Sequence, residues 1–126
     1  MFKWGGKLKE TVLWTNSSPT SSFAAQDVTI SEAYSNYEYI AIYYKRTTSD
    51  TAELYSIFPK FQLDLYNERI SGMFGTAQSA SNRQSCARPF YFTNATTIHF
   101  VIGYLISSGS TTSNLMIPTK ITGLKY

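Results

Sequence analysis

The stretch Thr97 to Ile106, T-I-H-F-V-I-G-Y-L-I, sets the fold class, because its even-numbered residues Ile98, Phe100, Ile102, Tyr104 and Ile106 form an unbroken apolar row. A period of two is the mark of a β-strand, in which successive side chains leave opposite faces. The other row holds Thr97, His99, Val101, Gly103 and Leu105. A glycine there signals a bulge or a close backbone approach. Working outward, the same alternation recurs. In Tyr37 to Lys45, Ile40, Ile42 and Tyr44 alternate with Tyr39, Ala41 and Tyr43. Both faces are largely apolar, as in a strand that is central in a sandwich or lies under another subunit. Phe61, Leu63 and Leu65 alternate with Gln62 and Asp64, which predicts a strand with one dry and one wet face.

Further strands are expected at Val12 to Thr15, Asp27 to Ser31, Ala52 to Phe58, Arg69 to Phe74, Pro89 to Thr93 and Leu115 to Leu124. Between them lie runs dense in Ser, Thr, Asn and Gly, whose side chains compete for backbone hydrogen bonds and favour turns. Two of these, Thr76 to Gln84 and Ser107 to Asn114, are low in complexity and are expected to be the most mobile parts. About eight or nine short strands with regular turn signals predict an all-β chain, an antiparallel β-sandwich of jelly-roll-like character.

A chain of 126 residues and 14.2 kDa has room for one core. Residues 1–10 combine Phe2 and Trp4 with Gly5-Gly6 and three lysines and read as a flexible lead-in, leaving residues 11–126 as a single β-sandwich domain. Aromatic content is 16%, with ten tyrosines and eight phenylalanines, whereas charged residues make up only 15%. That balance suits pleated, half-buried surface and leaves too little charge for the solvated faces of a helical bundle.

The net charge of +3 and pI ≈ 9.0 raise the question of a polyanionic partner. Only Lys3, Lys7 and Lys9 cluster, however, and the remaining basic residues are scattered among acids, unlike the stripe that tracks phosphates; no nucleic-acid partner is expected. No segment has the roughly 18 apolar residues of a membrane span, so no membrane insertion is expected, and Met1 to Glu10 lacks the apolar run of a signal peptide.

Candidate chemistry is sparse. The single cysteine, Cys86, excludes an intrachain disulfide and reads as a core filler near a strand start. His99 is the only histidine, so any Ser-His-Asp or Cys-His catalysis must pass through it, yet it sits within a strand rather than on a loop. The acids Glu32, Glu38, Asp50, Glu53, Asp64 and Glu68 show no spacing that singles out a glycosidase pair, and no ligand cluster marks a metal site. The expectation is a protein that is not an enzyme and needs no metal or cofactor. What remains in surplus is tyrosine: Tyr37, Tyr39, Tyr43, Tyr55, Tyr66 and Tyr91 exceed the needs of one small interior. Their flat faces with a hydroxyl at the edge serve sugars and subunit seams alike.

Two further stretches carry a resemblance. Val12 to Gln26 reads V-L-W-T-N-S-S-P-T-S-S-F-A-A-Q, and Asn114 to Lys125 reads N-L-M-I-P-T-K-I-T-G-L-K. An L-W-T-N opening, a Ser/Pro/Thr loop, a Phe-Ala-x-Gln segment, tyrosine-rich strands and a closing Ile-Pro-x-x-Ile-x-Gly-Leu-Lys strand resemble the C-terminal β-sandwich modules of tail-associated structural proteins in phages and prophages of Gram-positive bacteria. The resemblance implies a tail fibre or receptor-binding head in the virion, a homo-oligomer with a trimer favoured, and a host cell-surface saccharide as partner. The alternatives are a purely structural oligomerisation or capping domain and, more remotely, a polysaccharide hydrolase. For a saccharide site the expected residues are Tyr43 and Tyr91 as stacking surfaces, Arg88 as a donor to hydroxyl or anionic groups, and His99 to orient the ligand. Such modules usually follow a long upstream region, whereas this sequence begins almost at the domain; an excised fragment, an internally started product and a free accessory subunit all stay open.

Overall fold

Burial alternates along much of the chain, while residues 115–124 are largely buried on both faces, and two sheets result. The computed structural model describes residues 7–64, 71–77 and 85–126. Among them are nine strands: β1 (Lys9–Thr15), β2 (Gln26–Thr29), β3 (Tyr39–Thr47), β4 (Leu54–Pro59), β5 (Gly72–Ala77), β6 (Ser85–Asn94), β7 (Thr97–Phe100), β8 (Tyr104–Leu105) and β9 (Leu115–Lys125). The first sheet runs β1-β9-β3-β4, the second β2-β7-β6-β5 with β8 against β6, and every pairing is antiparallel. The chain is all-β and forms a sandwich. Most of the expected lead-in, Leu65, Tyr66, Glu68, the start of the strand expected from Arg69 and most of the Thr76 to Gln84 loop lie outside the described residues.

The chain crosses from β1 in the first sheet to β2 in the second and back to β3. The pairs β1·β9 and β2·β7 are thus the outer turns of a wound antiparallel ribbon, the feature shared with a jelly roll. The inner turn departs from that pattern, because β3 and β4 form a plain hairpin in one sheet and β5 and β6 stay together in the other.

Strand β3 sends Ile40, Ile42 and Tyr44 inward and lies between β9 and β4; of its outer row Ala41 is buried, whereas Tyr39 and Tyr43 are half-buried. From the second sheet Phe74, Phe90, Phe92, Ile98 and Phe100 meet them. Phe90 is the hub, with its ring centroid 4.8 Å from Phe58, 6.5 Å from Phe74, 6.4 Å from Phe92 and 6.4 Å from Phe100. Trp14 and Phe23 close one side of this cluster by packing on Phe100, at 6.2 and 5.6 Å. The two terminal stretches also meet: β1 pairs with β9, and Asn16 donates its side-chain amide to the Pro118 carbonyl at 2.8 Å.

Two strand expectations need correction. Residues Lys60–Leu63 form one helical turn, α1, instead of a strand. Pro59 ends β4 without an N–H to continue the ladder, and residues two apart then fall on opposite sides of the helix. Leu63 is accordingly buried while Phe61 is exposed. The row from Thr97 to Ile106 is also interrupted: regular pairing stops at Phe100, residues 101–103 are irregular, and Ile106 is exposed. Gly103 passes so close to β9 that a Cβ there would stand 2.6 Å from the Leu115 carbonyl oxygen, which is the close approach its sequence position signals. No helix of the described residues is long and apolar enough to cross a membrane.

Candidate functional site

The four residues expected to share a site fall into three separate layers. On the outer face of the second sheet, His99 stands opposite Asp27 across β2·β7 and opposite Tyr91 across β6·β7. The His99 and Tyr91 rings lie 5.0 Å apart, tilted by 34°, and the His99 Nδ1 is 2.7 Å from an Asp27 carboxylate oxygen. His99 Nε2 and the Tyr91 hydroxyl have no hydrogen-bond partners among the described residues. The result is a shelf of two adjoining rings beside an exposed carboxylate.

Tyr43 is on the other side of the molecule, on the outer face of the first sheet. Its hydroxyl donates to Glu10 of β1, which also accepts from Thr122 at 2.7 Å; Lys120 Nζ lies 4.3 Å from the centre of its ring, and Tyr55 flanks it at 5.5 Å. The hydrogen bond to Glu10, then burial, pushes the Tyr43 phenol up to about 12, while the bonds from Tyr43 and then Thr122 hold Glu10 below the usual carboxylate value. The signs set a window. The depressed carboxylate stabilises the fold above its ordinary value of 4.5 and loses this as pH falls, whereas the raised phenol stabilises below 10 and loses this as pH climbs towards 12. Spectrophotometric titration is expected to reveal one tyrosine ionising near pH 12, and Glu10→Gln should return it towards 10. An unchanged titration curve would refute the coupling.

Arg88 is the clear correction. It lies on the inward face of β6 and is fully buried, donating Nε to the Met116 carbonyl at 2.7 Å, Nη2 to Leu115 at 2.8 Å and Nη1 to Val101 at 2.9 Å, with its guanidinium 5.3 Å from the centre of the Phe23 ring. Pro89 and Tyr91 face away from this interior, because neighbouring strand residues alternate. Burial pulls the guanidinium down to about 10, which still leaves it cationic at neutral pH. Arg88 therefore supports the fold and cannot touch a ligand on either outer face.

His99 has an acid beside it, but no serine, threonine or cysteine is hydrogen-bonded to it among the described residues. Cys86 is on the inward face, donates its thiol to the Thr76 carbonyl, and is pushed up in pKa by burial. Several acids are committed to structural contacts: Glu32 accepts from Tyr37, Asp64 from Tyr34, Glu53 from Thr119, and Asp50 pairs with Arg46. Among the described residues no three His, Cys, Asp or Glu side chains gather as a metal site would require. Asp27 and Glu10 were not among the candidates read from the sequence. Each sits on a short alternating segment, but which strand lies opposite is a matter of register between distant parts of the chain.

A recess of about 330 Å³ opens at one end of the sandwich, lined by Tyr34, Ser35 and residues 92–95. It adjoins the β6–β7 turn, where Asn94 Oδ1 accepts from the Thr96 N–H and hydroxyl. Compared with models of known protein families and with curated proteins, the sequence matches none.

Proposed function

We propose that the chain is the head module of a phage tail appendage, carried on the virion, that binds a host cell-surface saccharide on the outer face of its second sheet. The observation that carries this reading is the shelf of Tyr91 and His99: two adjoining rings held in cross-strand register, with an exposed carboxylate beside them and hydroxyl-bearing Thr29 and Thr97 in the next row. Flat apolar ring faces stack on sugar C–H surfaces, and the surrounding oxygens and ring nitrogen exchange hydrogen bonds with hydroxyl groups. Rigid two-torsion side chains limit the entropy lost on binding.

A second reading, a structural oligomerisation or capping domain, is favoured by the outer face of the first sheet. There Val12, Tyr55 and Ile57 are 53%, 60% and 46% exposed, apolar surface suited to the seam of a trimer. The two readings part on a glycan array and a host-cell pull-down. Binding of a wall saccharide that falls about tenfold or more in Tyr91→Ala, with the melting temperature retained because this side chain faces outward, supports the first. A protein that forms trimers by light scattering yet binds no host cell supports the second, and cleavage of the saccharide would defeat both.

A further inference from the structure

We infer that the saccharide site continues past Tyr91 into the recess beside the β6–β7 turn, so that it takes a neutral saccharide at least two units long and discriminates against phosphate-bearing wall polymers. The inference rests on the reading of the second sheet as a saccharide surface. Strand β6 connects the two places directly: Tyr91 is on the shelf, and Phe92, Thr93 and Asn94 line the recess. At about 3.3 Å of rise per residue, the path from Tyr91 to Thr93 is at most roughly 7 Å. That is close to the step from one sugar ring to the next in a chain. The ground between is polar, since Thr97 pairs with Thr29 on one side and Asn94 on the other.

The recess has the chemistry of a sugar subsite. Its floor is the contact of Tyr34 with Phe92, ring centroids 4.6 Å apart, and both rings are buried, which makes the floor firm. Its rim offers two hydrogen-bonding groups. Asn94 uses its carbonyl oxygen within the turn, which leaves the NH₂ as an outward donor, and the Ser35 hydroxyl has no partner among the described residues. About 330 Å³ is at the low end of the roughly 300–1,000 Å³ range of small-molecule sites, space for one ring rather than several.

Charge decides the ligand class. Among the described residues no lysine or arginine lines the recess or builds the shelf, and Arg88 is turned into the core. Asp27, which contacts His99 Nδ1 at 2.7 Å, puts a carboxylate on the shelf, and Asp64 accepts the Tyr34 hydroxyl of the recess lining at 2.8 Å. A phosphodiester would meet repulsion there, and a neutral hydroxyl-rich chain would not.

The test uses the intact chain, neutral mono- to hexasaccharides of glucose, galactose, rhamnose and N-acetylglucosamine, and polyglycerol phosphate, with binding followed by calorimetry. Asn94→Asp keeps the turn acceptor but removes the donor and adds a negative charge, and Ala95→Trp fills the recess from an exposed turn position. Affinity should rise from mono- to disaccharide. Both variants should erase that gain, about tenfold or more, without changing the monosaccharide affinity, and polyglycerol phosphate should bind more weakly than the neutral chains. If Tyr91→Ala weakens binding but neither recess variant does, the shelf stands and the extension into the recess is wrong. Tighter binding of polyglycerol phosphate overturns the charge assignment. Failure of every probe to bind the wild-type chain overturns the underlying reading together with the inference.

Discussion

Arg88→Met is expected to destabilise the chain by about 3 kcal/mol or more, because three main-chain carbonyls lose a cationic donor at once. Methionine fills much of the same space but donates nothing, so the carbonyls of Leu115 and Met116 would be left unpaired in the buried interior and that of Val101 in a half-buried place. Each buried polar group stripped of its partner costs about 1–3 kcal/mol. Arg88→Lys should recover little, because one ammonium cannot reproduce a planar fork that reaches three separated oxygens. Met116 sharpens the expectation: its φ of 55° is the left-handed conformation that residues other than glycine seldom adopt, and its carbonyl is the one that accepts from Nε. Loss of the guanidinium removes one of the contacts that hold this conformation. Urea unfolding checks this, and a midpoint equal to wild type would show that the three carbonyl bonds contribute nothing to stability.

Phe90→Ala should cost a comparable amount, about 3–5 kcal/mol, because the lost ring contacts four others and the rigid sheets on either side cannot close over the void. The neighbouring backbone supplies an internal control. A Cβ at Gly72 would stand 2.7 Å from Phe90 Cζ and 2.8 Å from Phe58 Cε1, so Gly72→Ala alone should cost about 1–3 kcal/mol by overpacking. In the Phe90→Ala background one of those clashes is gone. The double variant should therefore be more stable than the sum of the single changes by about 0.5–3 kcal/mol, measured by a thermodynamic cycle from urea unfolding. Strict additivity would mean that Gly72 and Phe90 are not in contact.

The fold class was legible because period-two alternation depends only on the direction of successive side chains, and Ile40, Ile42, Tyr44, Ile98 and Phe100 point inward as the pattern requires. What failed did so for local reasons. Phe61 and Leu63 share a parity but not a face, since α1 replaces the pleat after Pro59. The candidate site was legible only in part. Tyr91 and His99 come together, but Tyr43 lies on the far sheet and Arg88 between the two. Residue type marked Arg88 as a surface donor, whereas its parity with Cys86, Phe90 and Phe92 on β6 places it inward. Asp27 became visible only through the register of β2 against β7, which joins residues more than seventy positions apart and leaves no short-range trace.

The partnership of Lys9 with Lys125 at the outer edge of the first sheet bears on how the domain carries load. Because the two strands run antiparallel, tension applied through these neighbouring ends meets the β1·β9 bonds one after another, as a zipper opens, instead of all at once in shear. Tension transmitted through the Lys9 end alone, against an anchor on the second sheet, must instead pass across the layers through the packed rings and the Arg88 clamp. The same domain would thus yield readily to a pull on both ends and hold firm when tethered by one end and gripped on the outer face of its second sheet.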